Sequence, residues 1–219
     1  MGKSVASRSK EPAGAELARR ERVIVAAERL FADEGYHGVS MRDIAKAAEV
    51  GLPLIVYHFE TKLGLYRAIF EYRRDLFDER LRQLERIDFG APDVLGHIAT
   101  AFVGPIIRSH ATPEGREYAR LVVREASDPQ EETRGIIEHY YDPIAKAYIA
   151  ATRRALPEAS HEYLCWAYMF AVGALVMSVF DHRIARLSDG AFTAIDVETK
   201  TRMLAAFIAD GLRAGARLR

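Results

Sequence analysis

From Tyr163 to Phe180 the chain runs eighteen residues without a formal charge. A helix of that length and character either crosses a bilayer or is covered on every side by protein. Glu162 and Asp181 stand hard against its two ends, and Tyr163, Tyr168, Gly173 and Ser178 interrupt its apolar character. No second run of this kind occurs, so the sequence predicts a buried helix and no membrane partner. One protomer offers too little surface to cover such a helix alone. The expectation is a homodimer in which residues 160–185 and 196–216 of two copies form a four-helix bundle. Ala171, Gly173 and Ala174 would allow close approach, with Val172, Leu175 and Val179 as packing knobs.

The rest of the chain is punctuated at helical intervals and shows no alternating strand pattern. Leu17, Ile24, Ala27, Leu30 and Phe31 recur at three- and four-residue steps until Gly35, which ends the first helix. Ser40 caps a short helix, Gly51 and Pro53 begin another, and Thr61 caps a fourth that should run to about Arg86. Ala91-Pro92 opens a helix that Gly104-Pro105 should kink or break. Thr112-Pro113-Glu114 starts the next, and Pro129 a segment interrupted at Asp142-Pro143. Ser160 starts the uncharged helix, and Asp196 caps a last one through Ala216. The sum is an all-α protein of about nine helices.

Composition excludes several functions. A single cysteine, Cys165, leaves no disulfide framework and no multi-cysteine zinc or iron–sulfur site. There is no P-loop, no G-x-S-x-G elbow and no paired-histidine zinc spacing, so no catalytic residue, metal or cofactor is expected. The N-terminal residues lack the apolar core of a signal peptide, which points to the cytoplasm. Lys and Arg number 31 against 31 Asp and Glu, so no global field steers the protein to phosphate. Nucleic-acid binding, if present, rests on local geometry.

That geometry is written in residues 39 to 66, VSMRDIAKAAEVGLPLIVYHFETKLGLY. Two short helices are joined by Ala48-Glu49-Val50-Gly51, too tight a link for them to lie antiparallel. Ile44, Ala45, Val50 and Ile55 supply a small core between them. This is the outline of a helix-turn-helix, whose second helix fits the DNA major groove. Taken alone, the outline also describes a plain helical corner.

Three clusters of residues go further. They are Ala27, Leu30, Phe31, Gly35 and Tyr36; then Ser40, Ile44, Ala45, Ala48 and Val50; then Tyr57, His58, Phe59, Lys62 and Leu65. In this order and spacing, across about residues 16 to 70, the chain resembles the TetR family of transcriptional regulators. The resemblance implies a three-helix helix-turn-helix DNA-binding headpiece and a larger helical ligand-binding and dimerisation domain. It divides the chain into a disordered basic arm at 1–14, a DNA-binding domain at 15–62 and the remainder at 63–219. It also implies a homodimer on a pseudo-palindromic double-stranded operator, more often a repressor, released by a small apolar or aromatic effector. The residues expected at DNA are Ser40, Arg42, Gly51, Leu52, Pro53, Leu54, Tyr57, His58 and Lys62. Three positions depart from the family pattern. Glu49 stands where glycine is common, Gly51 where Ser or Thr often follows, and Val56 where many members carry Tyr. A helical adaptor whose headpiece does not bind DNA therefore stays open as a second reading.

The C-terminal part is rich in large amphipathic aromatics, which suit either a filled core with tyrosine hydroxyls at the surface or the wall of a cavity. Small-molecule cavities are lined by such groups with a few polar ones to fix orientation. The expected walls are Phe102, Tyr141, Trp166 and Phe170, with Arg120, Arg124 and His139 as polar hooks.

Overall fold

The computed structural model describes residues 13–180, 183–192 and 195–217. Among these residues the protein is all-α, with twelve α-helical segments, one π-helical turn and no strand. Two of the twelve, α8 and α11, are single turns of four residues, which accounts for most of the difference from the nine expected. The helices form two compact units that divide between Tyr72 and Arg73.

The first unit holds α1 (Ala13–Gly38), α2 (Met41–Ala47), α3 (Leu52–Phe59) and α4 (Lys62–Tyr72). The basic arm expected at 1–14 lies outside the described residues except for Ala13 and Gly14, which begin α1. Gly35 takes φ 77° and breaks the helical run where the sequence placed a stop. Val23, Ile24, Ala27 and Phe31 of α1 are buried with Ile44, Ile55, Leu65, Tyr66, Ile69 and Phe70 from the other three helices. Because α4 packs on α1, it belongs with this unit, ten residues beyond the boundary expected at 62.

The second unit comprises α5 (Arg74–Glu85), α6 (Val94–His110), α7 (Pro113–Ala126), α8 (Glu131–Arg134), the π-turn Ile137–Tyr141, α9 (Asp142–Ala155), α10 (His161–Phe180), α11 (Ile184–Leu187) and α12 (Val197–Gly215). The fourth helix expected to reach Arg86 instead ends at Tyr72, because Arg73 leaves helical geometry at φ −92°, ψ 10°. Its second half is α5. The central element is α6, which packs against α5, α7, α9, α10 and α12. Pro105 sits within α6 without ending it, contrary to expectation. The proline forfeits one backbone hydrogen bond, and a helix buried through Leu95, Ile98, Phe102, Val103 and Ile107 has enough packing to hold its course.

Local caps set the remaining boundaries. Thr112 Oγ1 accepts the Gly115 N–H at 3.0 Å, Ser160 Oγ accepts the Tyr163 N–H at 3.1 Å, and Asp196 Oδ1 accepts the Thr199 N–H at 2.8 Å. The segment expected to run from Pro129 is broken early by Gly135, which is left-handed at φ 64°. Pro143 then falls in the first turn of α9, directly after the π-turn. A proline ring crowds the carbonyl four residues back, and the wider turn gives it room. Helix α10 is long and apolar enough to cross a membrane, yet it packs on α6, α9 and α12 with Leu164, Ala167, Ala171, Leu175 and Val179 buried. The Tyr163 hydroxyl donates to the carbonyls of Gly211 (3.1 Å) and Leu212 (3.0 Å), tying α10 to α12.

Candidate nucleic-acid interface and cavity

In the first unit, α2 begins with a reciprocal cap. Asp43 N–H donates to Ser40 Oγ at 3.2 Å, while Asp43 Oδ2 accepts the Ser40 N–H at 2.9 Å and its hydroxyl at 2.5 Å. Those bonds, the hydroxyl's first, hold the Asp43 carboxyl below its usual range. The turn closes through Ala48 N–H to Ile44 O (2.9 Å) and Val50 N–H to Ala45 O (3.0 Å). Glu49 adopts φ 55° to make it. The turn thus forms without glycine, with a left-handed L-residue that costs on the order of 1 kcal/mol.

Helix α3 starts at Gly51, carries Pro53 in its first turn, and buries Ile55 and Phe59. Its outward face is Pro53, Val56 and Tyr57, the last two 48% and 74% exposed, while Leu52 and Leu54 are half-buried. The sequence placed Leu52 and Leu54 on that face and missed Val56. Three- and four-residue spacing from Pro53 would have found it. At the other end of α3, Glu60 takes φ 60°, ψ −56° and Thr61 N–H donates to Phe59 O at 2.6 Å, a γ-turn of the rare positive-φ kind. Thr61 Oγ1 caps α4 by accepting the Gly64 N–H at 2.9 Å. Gly64 lies so close to the Phe59 carbonyl that no Cβ would fit.

The polar residues expected at DNA divide into two groups. Ser40 and Arg42 are exposed. Lys62 is half-buried with its ammonium 4.5 Å from the centre of the Tyr36 ring, and burial lowers its pKa. His58 does not reach outward as expected. Its side chain is 10% exposed and turned to α1, with Nε2 3.9 Å from Glu16 Oε1 and without a hydrogen-bond partner.

In the second unit, α5, α6, α7, the π-turn, α9 and α10 line a largely apolar cavity of about 740 Å³. Phe102 and Tyr141 line it as expected. Arg120, Arg124 and His139 do not. All three are exposed, because α7 turns Tyr118, Ala119, Val122 and Val123 inward instead, and His139 packs edge-on against Tyr140. The polar groups in the wall are different ones. Tyr118 and Tyr141 share a hydrogen bond at 2.9 Å between their hydroxyls, and Arg80 and Tyr168 also line the wall; behind it, Tyr148 donates to the Arg80 carbonyl at 3.1 Å. Burial raises the Tyr141 and Tyr168 hydroxyls and pushes Tyr148 up to about 12.

Arg80 itself is only 5% exposed. Its guanidinium carbon lies 4.8 Å from the Phe102 ring centre and 5.3 Å from that of Tyr148. Its Nε has no hydrogen-bond partner. The sequence does carry a signal for this residue: Phe77, Arg80 and Leu84 stand at helical spacing on the buried face of α5.

Two stretches of the sequence match described families. Residues 23–69 match bacterial regulatory proteins of the tetR family, and residues 100–211 match the tetracyclin repressor-like C-terminal domain. The chain belongs to the TetR family. Among characterised TetR-family relatives, the transcriptional activator FasR of Mycolicibacterium smegmatis is 38% identical over 68 residues, 31% of either chain. The transcriptional repressor BepR of Brucella suis is 28% identical over 106 residues, 48% of this chain and 49% of its own. The matches therefore span less than half the length of these relatives. Among solved structures, the fatty acid degradation regulator FadR of Bacillus halodurans superposes with TM-score 0.62 at 19% identity, covering 94% of this chain and 99% of its own. A TetR-like regulator from Rhodococcus sp. RHA1 gives 0.59 at 19% identity, covering 93% and 99%. At that identity the likeness is one of fold.

The cavity and the outer surface of this TetR-family protein draw on α10 in a way opposite to the sequence expectation. Trp166 and Phe170, expected as cavity walls, are 57% and 66% exposed and stack on each other with ring centres 5.9 Å apart. Val172, Leu175 and Val179, expected as knobs for a partner helix, line the cavity. The two sets have exchanged faces.

Proposed function

We propose that this TetR-family protein is a DNA-binding transcriptional repressor that works as a cytoplasmic homodimer and is released by a small molecule held in the second unit. The observation that carries the reading is α3. It is held by a capped α2 and a closed turn, and it presents Pro53, Val56 and Tyr57 as one outward row. Apolar side chains on that row suit thymine methyl groups, while Arg42 is the fork available to guanine. Lys62 and Tyr57 suit phosphate, which sets register rather than sequence.

Dimerisation is supported by the exposed apolar stripe Trp166, Phe170 and Met177 on α10, with Met203 and Phe207 on α12. A monomer rarely leaves so many large apolar groups in water without a partner. A cavity of this volume is within the range of small-molecule sites. A ligand that prefers one spacing of the two headpieces shifts the population away from operator binding.

Selection of bound DNA from a random duplex pool tests the reading. The expected result is an inverted repeat whose half-sites are about one helical turn apart. A pool that stays unenriched would instead favour the helical adaptor, and transcription from the selected site decides repression against activation.

A further inference from the structure

Resting on the reading that the cavity holds the effector, we infer that its ligand is an amphipathic monoanion, a carboxylate on an apolar body, with the carboxylate held by Arg80. The wall is apolar along Val122, Ile149, Val172 and Val176, and it includes Arg80, a residue only 5% exposed whose Nε is buried. No ion pair joins Arg80 to any carboxylate among the described residues, and its Nε donates to nothing. Asp142, the acidic residue of the lining, makes no such pair, while Lys146 and Arg153 in the same lining are cationic. A buried charge without a counter-charge is costly. The rings of Phe102 and Tyr148, and the neutral hydroxyls of Tyr148 and Tyr168 that hydrogen-bond with the Arg80 side chain, compensate it only in part, since none carries a negative charge.

The chemistry of the missing partner follows from the group that lacks it. Guanidinium is a planar fork of donors that matches a carboxylate and is weakly hydrated, so the pair forms well out of water. Arg80 is the buried cation of the lining, Lys146 and Arg153 lying exposed, so a single negative charge balances it where water is excluded. The hydrogen-bonded hydroxyls of Tyr118 and Tyr141 border the same space and can turn to meet a second acceptor oxygen. The apolar body then lies against the inner face of α10.

Titration calorimetry of the full-length protein with decanoate, decanol and decylamine separates head from tail. Decanoate should bind about tenfold or more tightly than either of the others. Arg80→Met should remove that advantage, bring decanoate to within about threefold of decanol, and leave the ligand-free protein at least as thermally stable as before. Arg80→Lys, which keeps the charge but loses the fork, should retain part of the preference and guards against a variant that fails to fold. Equal binding of the three probes, no binding of decanoate, or a carboxylate preference that survives Arg80→Met would each overturn the inference. Ala119→Phe, which narrows the cavity from α7, separates the two readings. Equal probe affinities that this substitution abolishes leave the cavity as the site and remove only the anion, whereas binding it does not affect removes the cavity as well.

Discussion

The headpiece and the second unit keep their unfavourable energy in different places. In the headpiece it lies in the backbone: Glu49 and Glu60 both take positive φ, and Gly64 approaches the Phe59 carbonyl more closely than any side chain would permit. The second unit has backbone strain too, at Asp189 (φ 49°) and where Gly115 meets the Ser109 carbonyl, but it buries more charge, with Arg80, Glu125 and Arg134 against Glu28 in the headpiece. Arg80 has no acidic partner, and Arg134 is almost fully buried against Glu125 at 2.9 Å and Asp128 at 2.7 Å. Strained conformations fix the direction of a helix that must meet a rigid duplex. The buried charge of Arg80 is the one the proposed ligand would neutralise. Both departures from the rules of local structure fall where the proposed reading places a partner, DNA at the headpiece and a small molecule at Arg80, whereas Arg134 is neutralised within the protomer by Glu125 and Asp128.

Four substitutions probe the contrast. Gly64→Ala should disrupt it most. A Cβ there collides with the Phe59 carbonyl, and the headpiece should lose about 3 kcal/mol along with DNA binding, measured by denaturant unfolding and gel shift. Binding of small molecules in the second unit should survive, and loss of both functions together would show that the two units do not behave separately. Phe170→Asp places a charge on the exposed apolar stripe of α10 and should weaken self-association by about 2 kcal/mol or more in sedimentation, without lowering the helicity of the protomer.

Tyr148→Phe removes the bond to the Arg80 carbonyl and should cost about 1 kcal/mol at neutral pH. The same variant should alter the alkaline limb. Tyr148 has its hydroxyl pushed up to about 12 in the folded state against an ordinary 10, so its contribution is complete below pH 10 and is lost as pH rises toward 12. Thermal unfolding across that window should fall less steeply in the variant. Glu49→Gly should have the smallest effect. It relieves the left-handed turn at the cost of a more flexible unfolded chain, for a net gain of up to about 1 kcal/mol by denaturant midpoint. It also removes a carboxylate from the turn, so affinity for duplex DNA should rise at low salt.

What could be read in the sequence was local. Ser40, Thr61, Thr112, Ser160 and Asp196 were legible because a cap is a bond between neighbours along the chain. The helix-turn-helix was legible for the same reason. The orientation of α10 was not, since a helix apolar all round gives no sign of which side faces inward. That is why Trp166 and Phe170 changed places with Val172, Leu175 and Val179. Pro105 misled because its penalty is local while the packing that offsets it comes from five other helices. Arg80 was missed because the polar hooks were sought at Arg120, Arg124 and His139, although its place in the Phe77–Leu84 stripe marked it as buried.

The exposed position of Trp166 has one more consequence. It is the chain's single tryptophan, and it lies on the stripe of α10 that a second protomer would cover, stacked on Phe170 and away from the cavity lining. On the proposed pairing of two protomers through this stripe, intrinsic fluorescence of the protein gauges assembly and not occupancy of the cavity. Its emission should shift to longer wavelength on dilution, as the indole passes from a protein contact into water, and should stay nearly constant while a cavity ligand is titrated into the intact dimer.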